Sequence, residues 1–149
     1  MRKTFLRLGS FLALLAVALG AFGAHILRSA LSADSHHTFE IGVRYQFYHA
    51  LAIIAVGILL YFRRTPMLPR AGWLFFGGVI LFSGSLYLIA LSEVLDFKAA
   101  LLGPVTPIGG VLFMLGWAAL LWSTYEESER AYRSRQREHH QAGQEEEGM

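Results

Sequence analysis

Four stretches of this chain contain no Asp, Glu, Lys or Arg: Leu8 to Ile26, Gln46 to Phe62, Ala71 to Leu91 and Val105 to Trp122. No other feature constrains the fold as much. An α-helix rising ~1.5 Å per residue needs about 20 apolar residues to cross ~30 Å of hydrocarbon, and each stretch approaches that length. Within lipid a segment must also satisfy its own backbone N–H and C=O groups, which a helix does and an open strand does not. The composition is consistent with this, being 54% apolar and only 16% charged, an unusual balance for a soluble domain.

The expected architecture is therefore an all-α integral membrane four-helix bundle over residues 1–125. Its helices are expected at about 8–26, 36–62, 71–91 and 106–125, followed by a charged tail over 126–149. The second and fourth stretches are short. Extending the second backwards through Phe39, Val43 and Phe47, spaced four apart, gives it an amphipathic start in which Glu40 and Arg44 form an i,i+4 pair. Asp34 or Ser35 is the expected N-cap. The tail is expected to be disordered or partly helical, with its last dozen residues disordered and His139 and His140 solvated.

Arg2, Lys3 and Arg7 before the first apolar run also fit the start of a cleaved signal peptide. That reading is the weaker one, because the run is long for such a segment and lacks a small-x-small cleavage box. Orientation follows from Lys and Arg, which are retained on the cytoplasmic side. Arg2, Lys3, Arg7, Arg63, Arg64, Arg70, Arg130, Arg133, Arg135 and Arg137 fall on one side, against Arg28, Arg44 and Lys98 on the other. Ten against three places both termini in the cytoplasm and Tyr61, Trp73 and Trp122 near the inner headgroups. Basic clusters flanking apolar segments also account for the charge without nucleic acid.

The polar residues inside the spans are the candidate site. His25 ends the first helix, Tyr45 and His49 lie early in the second, Ser83, Ser85 and Tyr87 lie late in the third, and Thr106 with Pro107 opens the fourth. Up-and-down topology places all of them in the outer half of the bilayer. Thr106 is expected to cap the fourth helix with Pro107 at its first position. Ala18, Ala21 and His25 form one stripe, Ala16, Gly20 and Ala24 another, and Gly77, Gly84 and Tyr87 a third. Together with Gly23, Gly109 and Gly110, these small residues suit close helix approach. The favoured role of the cluster is interhelical hydrogen bonding, with His49 to Ser83 or His25 to Tyr87 as the expected pair.

Other chemistry is poorly supported. Cysteine is absent, which removes disulfides and thiolate zinc sites. No span carries a mid-membrane carboxylate, lysine or arginine of the kind that marks ion pathways, and no hydrolase, P-loop or dinucleotide motif is found. The protein is expected to be no enzyme, to hold no metal or cofactor, and to have the lipid bilayer as its main partner, with a homo-oligomer or a membrane-protein partner left open. A small transporter or channel component, or a haem- or metal-binding protein using His25 and His49, are the alternatives.

The runs Ala18 to His25 (ALGAFGAH), Tyr45 to Leu51 (YQFYHAL), Leu81 to Tyr87 (LFSGSLY) and Thr106 to Gly110 (TPIGG), with Gly116-Trp117, resemble the membrane proteins of the domain of unknown function 423 family, which includes YgdD-like bacterial inner-membrane proteins. The resemblance covers roughly Phe5 to Trp122 and leaves out the tail. It implies four helices in the bacterial cytoplasmic membrane and implies no reaction. The family's signature runs coincide with the polar cluster.

Overall fold

The computed structural model describes residues 1–63 and 65–147, with side chains at 100, 101 and 127–147 not among those described. Arg64 and the side chains of His139 and His140, which figured in the expectations above, lie outside that description. Among the described residues the chain is helical with no strand. Four helices are long and apolar enough to cross a membrane: α1 (Arg2–Ala30), α2 (Ala33–Phe62), α3 (Met67–Leu95) and α4, whose apolar part is Val105–Glu126. Each exceeds its expected span, because helices continue past the hydrocarbon into the interfacial layer where charges are tolerated. α4 continues furthest. Its backbone is helical from Val105 to Glu147, so among the described residues the tail is helical, where its last dozen residues were expected to be disordered. The tail is rich in Glu, Arg and Gln, contains no proline, and spaces Glu126 and Glu129 four residues before Arg130 and Arg133, all of which favour helix.

Ser32 caps α2, its Oγ accepting from the Ser35 N–H at 3.3 Å. The cap is therefore two residues earlier than Asp34, which instead lies in the first turn where its charge suits the helix dipole. α4 begins at Val105, ahead of the expected Thr106. Pro107 is still tolerated because the first turn has no intrahelical use for its missing N–H. α3 ends on Asp96 in the left-handed region, φ 49°, before a 3-10 turn at Ala99–Leu102.

α1 packs along α2 and α4 along α3, and the two pairs join through α2 and α3. The inner pair is accordingly more buried than α1 and α4. Close approach comes from rings set into glycine notches. A Cβ on Gly72 would lie 2.5 Å from the Phe5 ring, one on Gly116 2.6 Å from Phe75, and one on Gly42 2.8 Å from Tyr87. Phe113 fills the notch at Gly78, and the backbone of Phe82 lies against Gly109. One core joins Phe5, Ile53, Val56, Leu68, Phe75 and Phe113, and a smaller one at the α1–α2 loop end joins Leu27, Leu31, Phe39 and Ala90.

Two helices contain a π turn, Gly23–Leu27 in α1 and Val79–Ser83 in α3. Each inserts about one extra residue and so turns everything beyond it by roughly 100°. This separates the expected stripe of Gly77, Gly84 and Tyr87: Gly77 faces Leu112 of α4, Tyr87 faces Gly42 of α2, and Gly84 has nothing within 4 Å. On α1 the face against α2 is Gly9, Leu12, Ala16 and Gly23, whereas Ala18, Ala21, Ala24 and His25 are exposed. A Cβ on Gly20 would lie 3.3 Å from Val43 and one on Gly23 3.0 Å from Phe39, but one on Gly110 would make only an ordinary 3.8 Å contact with Phe82.

Candidate functional site

The polar interior is organised by two residues of α2, Gln46 and His49, both buried. They are three positions apart and diverge to different neighbours. Both lie near the midpoint of the 30-residue helix.

His49 sits in an aromatic seat between α2, α3 and α4. Phe113 stacks on its ring with centroids 3.4 Å apart and planes 8° apart; Phe75 lies at 5.6 Å and Trp117 at 6.1 Å edge-on. Tyr45 stacks at 6.0 Å and itself packs on Phe82 at 4.7 Å. Both ring nitrogens are engaged. Nδ1 is 2.8 Å from the Tyr45 carbonyl, which can only accept, so Nδ1 carries the proton. Nε2 is left as the acceptor for the Trp117 indole N–H at 3.3 Å. This tautomer leaves no lone pair directed at a ligand. The expected bond from His49 to Ser83 is absent: Ser83 Oγ is buried without a hydrogen-bond partner, on the π turn that reorients this part of α3.

Gln46 is the residue that the sequence reading passed over, having treated it as the edge of a span. Its Nε2 donates to the Leu12 carbonyl of α1 at 2.9 Å, and its Oε1 accepts from the Tyr87 hydroxyl of α3 at 2.9 Å. One side chain thereby links three helices. Tyr87 is held in place by Phe39, at 4.9 Å between rings, and by the Gly42 notch. The available signal was an amide three residues before a histidine in a segment already assigned to the membrane.

The remaining candidates are distributed around these two groups. Ser85 Oγ and Thr106 Oγ1 are 2.6 Å apart and tie α3 to the start of α4, with Ser85 also 2.9 Å from the Phe82 carbonyl. Thr106 is thus engaged across the interface. His25 is exposed on α1 and does not meet Tyr87. It also lies far from His49: Gly23 touches Phe39, which puts His25 level with residue 37 of α2, twelve residues or about 18 Å along the axis from His49. A metal or haem held between His25 and His49 is therefore not available in this fold, and the described residues contain no group of three metal-ligating side chains.

At the loop end a second network was not anticipated. Ser32 donates through N and Oγ to Glu93 Oε2 at 3.2 and 2.9 Å, joining the α1–α2 turn to the end of α3. His36 Nε2 lies 3.2 Å from the Gly23 carbonyl of the α1 π turn, and its Nδ1 is 3.9 Å from Glu40. At the opposite end the Arg2 guanidinium lies 4.9 Å over the Tyr61 ring.

No solved structure matches the chain. Sequence relatives are numerous. A UPF0382 membrane protein of Staphylococcus saprophyticus is 42% identical over 124 residues, covering 83% of this chain and 98% of the relative. One from Staphylococcus epidermidis is 43% identical over 122 residues, 82% and 95% of the two chains. The Bacillus subtilis UPF0382 membrane protein YwdK is 40% identical over 120 residues, 80% and 94%. The family described as "Protein of unknown function (DUF423)" matches residues 19–110, a segment that contains Gln46, His49, Ser85, Tyr87 and Thr106. With four membrane-length helices and relatives named as membrane proteins over most of its length, this chain belongs to the DUF423 family of membrane proteins.

Proposed function

We propose that the protein is a non-catalytic, multi-pass component of the bacterial cytoplasmic membrane, a packed four-helix scaffold that offers its outer faces to lipid or to other membrane proteins. The observation that carries this reading is the closure of the polar interior. Each of the two central polar side chains has its hydrogen-bonding atoms used within the bundle, and aromatic rings fill the space around His49. A transport path would require polar groups facing a water-filled route, and catalysis a group free to act on substrate. The same reading places both termini in the cytoplasm, supported by the ten-to-three distribution of Lys and Arg.

The test separates seat from site. His49→Ala removes the stacked ring and is expected to lower stability by about 2–3 kcal/mol, whereas His49→Phe keeps the stack and should lose no more than about 1 kcal/mol. Thermal unfolding in one detergent reads both. Solute or ion flux through liposomes carrying the wild-type protein, abolished by His49→Phe, would overturn the scaffold reading. Reporter fusions at the two ends that report different compartments would overturn the topology.

A further inference from the structure

Arg44 is in an unusual position. Its α2 neighbour Val43 touches Gly20 of α1, and the charge-free run of α1 continues six more residues to Ile26, about 9 Å of apolar surface above this level. The side chain is exposed on the outside of the bundle and makes no ion pair among the described residues. The expected pair with Glu40 is not formed, since the Glu40 carboxylate is instead turned toward His36 at 3.9 Å. A guanidinium without an ion partner beside an apolar helix face favours an anion. The Cα–Cβ bond of a helical residue tilts toward the helix N-terminus, so Arg44 reaches toward the α1–α2 loop end, as a snorkelling side chain does.

Two adjoining crevices meet at this residue. One of about 330 Å³ runs deeper, with Ala16, Gly20, Val43 and Phe47 among its walls and Arg44 at its rim. The other, about 240 Å³, runs toward the loop end between Gly23, Phe39 and Glu40, sharing Gly20, Val43 and Arg44 with the first. The order along the membrane normal is therefore an apolar trough, then a cation, then one turn further out a carboxylate that is about half exposed.

We propose that this trough binds one phospholipid bearing a primary amine, with an acyl chain between Ala16 and Phe47, its phosphate on Arg44 and its ammonium on Glu40. The sequence of apolar, positive and negative surfaces matches the sequence of acyl chain, phosphate and amine in such a lipid. A second copy of the chain fits less well. Two copies inserted in the same orientation and related by a two-fold axis would set Arg44 against Arg44 and Glu40 against Glu40 at equal depth, where like charges repel.

The experiment uses the full chain, purified in detergent and offered equal amounts of phosphatidylethanolamine, phosphatidylglycerol and phosphatidylcholine, with retained lipid counted by native mass spectrometry. The wild type should retain phosphatidylethanolamine above the other two. Arg44→Gln should lower that retention about fivefold, the effect of one cation at a phosphate, while Arg44→Lys keeps most of it. Glu40→Gln should keep lipid but lose the preference for the amine. Equal retention of all three lipids by the wild type, or unchanged retention by Arg44→Gln, would overturn the proposal. If Arg44→Gln does not fold, the loss or persistence of headgroup preference in Glu40→Gln decides it. Because the chain has no cysteine, Val17→Cys gives a single thiol beside the trough. Its efficient disulfide cross-linking in native membranes would put a second copy there and sink the lipid assignment.

Discussion

Gln46 and His49 belong to one helix and to one layer of the bundle, yet they are held by different physics. Gln46 is fixed by two hydrogen bonds of 2.9 Å to two other helices, one ending on a backbone carbonyl, so its position depends on direction. His49 has a single bond to another helix, at 3.3 Å, and is located chiefly by a ring stacked on it at 3.4 Å, so its position depends on shape. In hydrocarbon the helices gain little from hydrophobic association, and fit and polar contacts decide which faces meet. Gln46 ties α1, α2 and α3 by direction, while the seat of His49 between α2, α3 and α4 is set chiefly by fit.

The largest expected effect comes from attacking the fit. A side chain at Gly78 would occupy the space of the Phe113 ring, and that ring is the plate against His49. Gly78→Val should reduce stability by about 2–3 kcal/mol through forced separation of α3 and α4, and thermal unfolding in detergent measures it. Gly84→Ala, at a position with nothing within 4 Å, is the matched control and should cost little. Equal losses would show that a glycine in α3 matters for its backbone alone, and the notch account would fail.

A smaller effect is expected from the directional side. Gln46→Leu and Tyr87→Phe, combined in a double-mutant cycle, should show a coupling of about 1 kcal/mol, typical of an interhelical hydrogen bond in a membrane protein. Gln46→Leu with His49→Phe should be additive, since the two side chains share no partner. Strong coupling in the second cycle would merge the two systems into one.

How far this contrast was legible in the sequence depends on which rule each part obeys. The bilayer imposes a length, so four runs free of charge located four helices, with ends set short because helices outlast the hydrocarbon. Helical phase was legible only in part: Ala18 and Ala21 precede the π turn of α1 and are exposed all the same, because small size alone does not say which face meets a neighbour. The π turns at Gly23–Leu27 and Val79–Ser83 have no simple residue code, and beyond them the faces expected for His25 and for Gly84 with Tyr87 were misassigned. Gly109 was marked as a packing residue from spacing and does lie on the Phe82 backbone. Gly78 and Gly116 were missed, because a notch is recognised only once its ring is known, and hydropathy does not encode which helices are neighbours. Gln46 was missed for a related reason, its partners being a hydroxyl and a carbonyl on two other helices.

The finest test of the contrast is a pair of serines two residues apart. Ser85 has a partner on α4, Thr106, at 2.6 Å and also donates to the Phe82 carbonyl, whereas Ser83 is fully buried with its hydroxyl unpartnered. Removing a satisfied hydroxyl from a membrane interior forfeits an interhelical bond, so Ser85→Ala should lose about 0.6–1 kcal/mol. Removing an unsatisfied one eliminates a desolvated polar group that gains nothing in the folded state, so Ser83→Ala should change stability by less than about 0.5 kcal/mol or raise it. Unfolding curves collected side by side in the same detergent decide between them. A Ser83→Ala loss as large as that of Ser85→Ala would mean that the Ser83 hydroxyl has a partner in the membrane, and the interior around the α3 π turn would then be polar where its side chains offer that hydroxyl none.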